Sequence, residues 1–592
     1  MALTDIPFKA GIFTEDTDRG VGKLFYWKDC DHVRFFNGRP QKIGGNVKAT
    51  ETQLLGKARS LIDWVTTQKE YFIAVGTHKK LYLFGGGLVS DITPIRASGT
   101  LTDPFGTTSG LTSVVVTDTA HGLSAGDFVH YTGASAVGGI TISGEYEVTI
   151  VNTINEYVIE HSVAASSTTS GGGSVDYQYE ISIGTEYESI SLGWGAGEWD
   201  IDTWGTPRDS STLSLSARIW SLGVWGEDLI ASPYDGAIYV WDASAGVTTR
   251  ATLISQAPST NKAIFVSQDE RIIVALGAND GVAPDAQLIR WCNQEDYTDW
   301  VPALSNTAGD KRLELGTEIY GAVAARTETV VYTNTALYSM SFVGAPDMYA
   351  FQPLGLNGGI AGPRAMTTFN GICYWMAVGG FYKYDGTIIE IPCAVYSHVF
   401  GDINATKLKM SQAATIIDFS EIMWLYASAD SVELDRYVIF NTVDASWYYG
   451  TFNRTLIAGT FQNDMHIYGC SPEGYLYRHE TGVDDDGAAL EAHLYSGDIE
   501  VGDSGEYMMR ISKFIADMVS ITGTLNITFS GKKYPQDTET QESGPHAITS
   551  ATPYINPRIR CRQISLQFES SELHSNWRMG PVRIDAKPDG KR

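Results

Sequence analysis

EDLIASPYDGAIYVWDAS (227–244) carries the pattern on which the fold turns. A short apolar strand, LIAS, runs into a turn at Asp235-Gly236. A second strand follows in which Ile238 and Val240 fall on one face and Tyr239 and Trp241 on the other. The first strand is nearly all apolar, as a strand buried on both faces is. Asp-Gly suits a tight hairpin.

The same form recurs in EYFIAVGTHKKLYLFGGG (70–87), ERIIVALGANDGVAPDAQLIRWC (270–292), ETVVYTNTALYSMSF (328–342), GICYWMAVGGFYKYDG (371–386), EIMWLYASADSVELDRYVIFNTVDASWYYG (421–450) and DMHIYGCSPEGYLYRHETG (464–482). One such hairpin cannot bury its own faces, but hairpins stacked radially can, with short protected edges. The expected fold class is therefore all-β: an irregular β-propeller of six or seven blades. The spacing is too uneven for a WD or kelch array.

The repeat breaks twice. Residues 95–187 hold Thr-, Ser- and Gly-rich stretches around HGLSAGDFVHYTGASAVGGITISGEYEVTIVNTINEYVIEHSV. They read as a small inserted β-domain on flexible linkers, with Tyr146, Val148 and Ile150 expected on one face. After TGVDDDGAALE (481–491), long alternating strands suggest a C-terminal β-sandwich-like domain. The expected partition is 1–94 (N-terminal segment and first blade), 95–187 (insert), 188–482 (remaining blades) and 483–592 (sandwich). Helix is scarce, and 401–414, capped near Asp402 or Asn404, is its best candidate.

The chain has 592 residues, more than one ordinary core takes up. Sixty-nine acidic against 42 basic residues give a formal charge of −27, the wrong sign for gripping phosphates. The six cysteines are dispersed and form no C-x-x-C pair, which suggests buried thiols in a reducing compartment. The N-terminus lacks a basic-then-apolar signal, and no apolar run nears the ~20 residues of a bilayer span. A soluble chain is expected, one that leaves its cell of origin, if it does, without a cleaved signal.

No nucleophile elbow, H-E-x-x-H, Walker loop or dinucleotide fingerprint occurs. Paired carboxylates for glycoside hydrolysis could come from Asp200, Asp202, Asp296 and Asp299. WGAGEWDIDTW (194–204) could stack sugars, against the simpler reading of a Trp-rich packing loop. SPYDGAIYVW (232–241) fails the sialidase Asp-box spacing by one residue. Asp484, Asp485 and Asp486 suit a solvated linker better than calcium, since consecutive side chains diverge. His121, His130 and His161 read as structural histidines rather than metal ligands. Arg558, Arg560 and Arg562 alternate along one expected strand, with Arg578, Arg583, Lys587, Lys591 and Arg592 following. They suit a protein partner better than DNA in so acidic a chain. No catalytic, cofactor-binding or metal residue is assigned.

GVGKLFYWKDCDHVRFFNGRPQKIGG (20–45), IWSLGVWGEDLIASPYDGAIYVWD (219–242), RIIVALGAN (271–279), LIRWCNQEDYTDWVPALSNTAGD (288–310), ALYSMSFVG (336–344), YWMAVGGFYKYDG (374–386), VFGDIN (399–404), DRYVIFNTVDASWYYGT (435–451) and GPVRIDAKPDG (580–590) follow one collinear order. In that order they resemble the tail nozzle, or tail tubular protein B, family of short-tailed bacteriophages. The resemblance spans 20–90 and 215–592. The HGLSAGD stretch resembles a separate module inserted into many virion proteins.

The resemblance implies a structural virion protein without catalysis or cofactors. It implies a hexameric ring below the portal and the tail adaptor protein, which prolongs the DNA-ejection channel and anchors tail fibres or spikes. Assembly would take place in the host bacterial cytoplasm, and viral double-stranded DNA would pass without sequence-specific binding. Acidic channel walls would deny its phosphates a counter-charge. The competing expectation is a glycan-binding or glycan-degrading propeller of the virion, whose Trp and Tyr would lie exposed beside acids rather than buried between subunits.

Overall fold

The computed structural model describes residues 3–190, 214–356, 358–461, 463–500, 506–538 and 540–591. The chain divides into two compact units, 54–314 and 1–53 with 315–592. Among the described residues, seven four-stranded antiparallel sheets are the blades of an irregular β-propeller. Three (58–91, 220–253, 263–312) belong to the first unit. Four (319–356, 366–391, 412–451, and 456–479 with 46–48) belong to the second. Seven is the larger of the two numbers expected.

Each quoted repeat holds the second and third strands of one blade. The second strands, such as Tyr71–Thr77, Asp228–Pro233, Ile272–Leu276 and Glu421–Tyr426, are buried along nearly their whole length. Within each unit the first strand of one blade packs against the first strand of the next: Ala58–Val65 on Trp220–Trp225, Trp220–Trp225 on Ala263–Ser267, and so on to Leu456–Thr460. Glycine makes that approach close enough. A Cβ on Gly321 would sit 2.3 Å from Met366 Cε, and one on Gly459 would sit 2.5 Å from the Thr415 carbonyl oxygen. A side chain at Gly321 displaces the end of Met366, whereas one at Gly459 meets backbone and forces the strands apart.

The aromatic doublets pack inside the chain. Trp241, Trp447 and Tyr448 are buried, and Trp447 Nε1 donates to the Pro392 carbonyl at 2.8 Å. Trp220 Nε1 donates to Thr77 O in the preceding blade at 2.8 Å. These rings therefore supply intramolecular core, and neither the expected intersubunit rim nor an exposed sugar platform is made from them.

The C-terminal sandwich needs the N-terminus. One sheet joins Thr4–Ile6, Val33–Phe36 and Arg39–Lys42 to Asn576–Pro588, Met509–Thr522 and Ile559–Cys561. The other joins Trp27–Asp31 to Ala492–Ser496, Gln563–Ser570, Leu525–Lys532 and Gln541–Ile548. Phe514 bridges the layers, with its ring centroid 5.2 Å from Phe529 and 6.3 Å from Phe568. Residues 4–42, read with the first blade from sequence, thus pair with strands some 450 to 580 residues away. Asn46–Lys48 then becomes the fourth strand of the last blade, pairing with 477–479.

Two local readings change. Residues 401–414 do not form one helix. A helix covers Tyr396–Asp402, Ile403 and Asn404 are extended, and a 3₁₀ turn follows over Ala405–Met410, capped where Thr406 N donates to Asn404 Oδ1 at 3.0 Å. Ile150 leaves the face of Tyr146 and Val148 because a bulge shifts register between Val148 and Ile150, and its side chain is exposed. No helix among the described residues is long and apolar enough to cross a membrane.

Arg34, wholly buried, fastens the N-terminal strands to the sixth blade. Its Nε donates to Glu421 Oε1 at 3.0 Å, its Nη2 lies 2.7 Å from Glu480 Oε1, and its guanidinium stacks 3.5 Å from the Phe419 ring centroid. Arg34→Met strands two carboxylates and is expected to cost about 3–5 kcal/mol. The pair Arg34→Met with Glu421→Leu is expected to cost less than Arg34→Met alone. Urea unfolding followed by Trp fluorescence checks both, and an unshifted Arg34→Met midpoint contradicts the account.

Candidate functional site

The insert leaves the body after Leu88–Asp91, the fourth strand of the first blade. Its first strand, Ile95–Thr102, pairs antiparallel with its last, Ser174–Glu180, so it enters and exits side by side. Ile181 N closes the neck by donating to Pro94 O at 3.0 Å.

A charged cluster fixes the insert to its blade. Lys80, 1% exposed, reaches Asp91 at 3.0 Å, Glu145 at 2.8 Å and Glu180 at 2.7 Å. Arg250 adds contacts to Asp91 at 2.6 Å and Glu180 at 3.0 Å. Glu145 and Glu180 come from the insert, and Lys80, Asp91 and Arg250 from the blades. The three carboxylates converge within 4.8 Å of one another, close enough to hold a metal ion. Lys80 and Arg250 already bridge them, so the balancing charge is built from the protein. Burial, and next the charge of Asp91, push the Glu180 carboxyl up to about 7. Burial also disfavours ionised Asp91, but Lys80 and Arg250 outweigh it and hold its pKa below the usual range.

Inside the insert a chain of hydroxyls replaces part of the apolar core. Tyr131 bonds Tyr157, Tyr157 lies 3.0 Å from Tyr179, and Tyr179 donates to Asp118 Oδ2 at 2.6 Å. Burial raises all three phenol pKa values, so the hydroxyls stay protonated. His121 is buried beside them, with Nε2 3.0 Å from Thr153 O and Nδ1 accepting from Leu123 N at 2.9 Å. It is the structural histidine expected.

The opposite face of strands 95–102, 174–180 and 128–132 is polar and open around residues 98–100, 176–178 and 130–132, and is covered at the end where Phe128 and Glu180 are buried. Register places Ser98, Gln178 and His130 in one row across the three strands, and Thr100, Asp176 and Thr132 in the next. Together they line a groove of about 570 Å³. Thr100 Oγ1 donates to Asp176 Oδ1 at 2.6 Å. Among the described residues, no lysine or arginine lines this groove. Of its residues, only His130 was singled out from sequence, as a structural residue. The others lie on three strands whose pairing no local motif announces.

The remaining sequence candidates carry loop structure. Asp296 Oδ1 accepts from Thr298 N and Oγ1, and Asp299 Oδ2 from Asn306 Nδ2. Asp200, Asp202 and the segment 194–204 lie outside the described residues. The three consecutive aspartates are anchors rather than a solvated linker. Asp484 accepts from His574 N at 2.7 Å, Asp485 from Asn46 Nδ2 at 3.0 Å, and Asp486 pairs with Lys48 at 3.5 Å. His161 Nδ1 accepts from Val163 N in an exposed turn.

Most of the basic C-terminal set is engaged within the chain. Only Arg560 lies in the strand Ile559–Cys561, while Arg558 precedes it in a left-handed conformation. Arg560 meets Asp589 at 2.8 Å, Arg562 donates to Lys591 O, Arg578 to Phe36 O, and Lys591 pairs with Glu506. Arg583 and Lys587 lie 4.0 Å from Asp5 and Asp585. Arg592 is outside the described residues.

No protein-family model matches the chain, and no curated protein does. Solved structures similar to it include BamB from Moraxella catarrhalis, at 10% identity and a TM-score of 0.31, covering 73% of this chain and 97% of that one. The N-terminal domain of Nup159 is similar at 11% identity and a TM-score of 0.28, covering 45% of this chain and 76% of that one. Likenesses this weak carry no argument about function, and the propeller architecture rests on the sheets themselves.

The Glu180 shift has a definite sign. Its folded pKa, about 7, lies above the ordinary 4.5, so the protonated folded form is favoured. Stability from this group is full below pH 4.5 and is lost as pH rises through about 7. Asp91 acts in the opposite sense, but only as pH falls below its ordinary 3.8. Between pH 5.5 and 8 the Tm of the insert-bearing unit is expected to fall by about 2–4 °C, and Glu180→Gln to flatten that slope. Scanning calorimetry across the range reads both, and an unchanged slope in the variant would remove Glu180 as the cause.

Proposed function

We propose that the chain is a structural protein of a short-tailed phage tail, of the nozzle type. It acts without catalysis, as one subunit of a hexameric ring that extends the DNA channel below portal and adaptor and anchors fibres or spikes. It works in the virion tail after assembly in the host cytoplasm.

One observation carries this reading. The resembling segments at the two ends, 20–45 and 580–590, lie far apart in sequence yet meet in one sheet. Gln41 pairs with Arg578 on the strand Asn576–Pro588, which carries most of the second segment. The resemblance therefore follows the long-range construction of the molecule, and is more than a likeness between single hairpins. The construction also suits a conduit for DNA under pressure, because both chain ends are paired into sheets and the last blade is closed by residues 46–48. The charge of −27 supports an acidic channel wall that lets phosphates slide.

Mass photometry and negative-stain microscopy of the purified protein, alone and with a portal–adaptor complex, test the reading. A closed six-fold ring with a central channel is expected, and DNA that does not bind it at about 0.15 M salt. A chain that stays monomeric in both settings, or depolymerises a polysaccharide, overturns it. So does a channel lined mainly by Lys and Arg.

A further inference from the structure

We infer that the outer groove of the inserted module is a binding site for a neutral, hydroxyl-rich saccharide chain. The inference rests on the groove alone and stands apart from the nozzle reading.

Four groove side chains, Ser98, His130, Thr132 and Gln178, make no hydrogen bond or ion pair among the described residues. They come from three adjacent strands and point the same way, in register. A fifth, Asp176, uses Oδ1 on Thr100 and leaves Oδ2 without a partner among the described residues. Every one of these groups accepts hydrogen bonds, and Ser, Thr, Gln and His also donate. Sugar hydroxyls have the same dual character, so each can be matched without a change in protonation. Three strands at about 4.8 Å spacing make a floor about 10 Å wide, enough for a short oligosaccharide.

The lining disfavours other ligands. Phosphates and nucleic acids need fixed cations, and the groove has none. The nearest candidate on these strands, Arg96, is held by the carbonyls of His121 and Gly122. Asp176 adds repulsion to any anion. A protein partner would bury an apolar patch at its centre, whereas both outward rows here are polar. The floor is held rigid from beneath: Tyr131 and Tyr179, on two of the three strands, point inward and belong to the buried hydroxyl chain.

The test uses the full chain with defined probes. Saturation-transfer NMR and calorimetry are run with maltohexaose, cellohexaose, mannohexaose and chitohexaose, and with inorganic phosphate and a 12-mer of single-stranded DNA. At least one neutral oligosaccharide is expected to bind with a Kd on the order of 1 mM or tighter. His130→Ala with Gln178→Ala is expected to weaken it at least about tenfold. Thr119→Ala, exposed on the same module outside the groove, is expected to leave it unchanged. Circular dichroism and Tm confirm that the exposed substitutions leave the fold intact. The inference is overturned if no oligosaccharide binds, if binding survives the double variant, or if phosphate or DNA binds in its place. A change of oligomeric state in the double variant would instead mark the face as a contact between copies, and would also overturn it.

Discussion

The buried guanidinium of Arg34 is the point from which the larger unit is organised. It is a full charge at 1% exposure, on a strand near the N-terminus, and it must find carboxylates. It finds Glu421 in the sixth blade and Glu480 just after the third strand of the seventh. Tyr448 donates a further hydrogen bond to Glu421, whose pKa burial still raises. Such a pair adds little net stability compared with well-packed apolar residues, but it allows only one register. A slip of one residue along Val33–Phe36 would bury the charge with no partner.

That register is what lets the chain close. Once residues 33–42 are fixed, Asn46–Lys48 arrives beside the last blade and supplies its missing edge. Ties on either side hold it: Lys42 Nζ on the Ser575 carbonyl at 2.8 Å, and the aspartates at 484–486 on His574, Asn46 and Lys48. An open last blade would expose a ladder of unpaired backbone groups. The construction also sets an order of events in folding. Thr4–Ile6, Trp27–Asp31 and Asn46–Lys48 have no strand partners until residues beyond 476 have been made, so closure comes late and costs a large loop entropy.

What could be read from sequence follows from which strands are apolar on both faces. The second and third strands of every blade announce themselves, as in IIVAL at 272–276 or IMWLY at 422–426. First and fourth strands such as MTTF (366–369), TL (252–253) and NVK (46–48) are short or polar, and only their neighbours make them strands. The same reason hid the N-terminal share of the sandwich. The bulge at Ile150 defeated strict alternation, because one extra residue inverts the face of everything after it. The groove was less legible still. Its residues carry no motif in any single stretch and become a site only when strands 95–102, 128–132 and 174–180 are laid side by side.

The insert shows why binding chemistry can sit on this body without disturbing it. Its first and last strands pair with each other, so the first blade sees two adjacent chain ends at Pro94 and Ile181, equivalent to a short loop. Its own apolar core and hydroxyl chain hold it together. The body contributes Lys80, Asp91 and Arg250, which orient the module through charge. Substitutions on the outward face therefore cost the body little, while those at Lys80 or Arg250 would leave Asp91, Glu145 and Glu180 to repel one another. The division of labour follows from this: closure and register belong to the propeller and sandwich, and recognition belongs to the open part of a sheet face whose other end, at Glu180, docks on the blade.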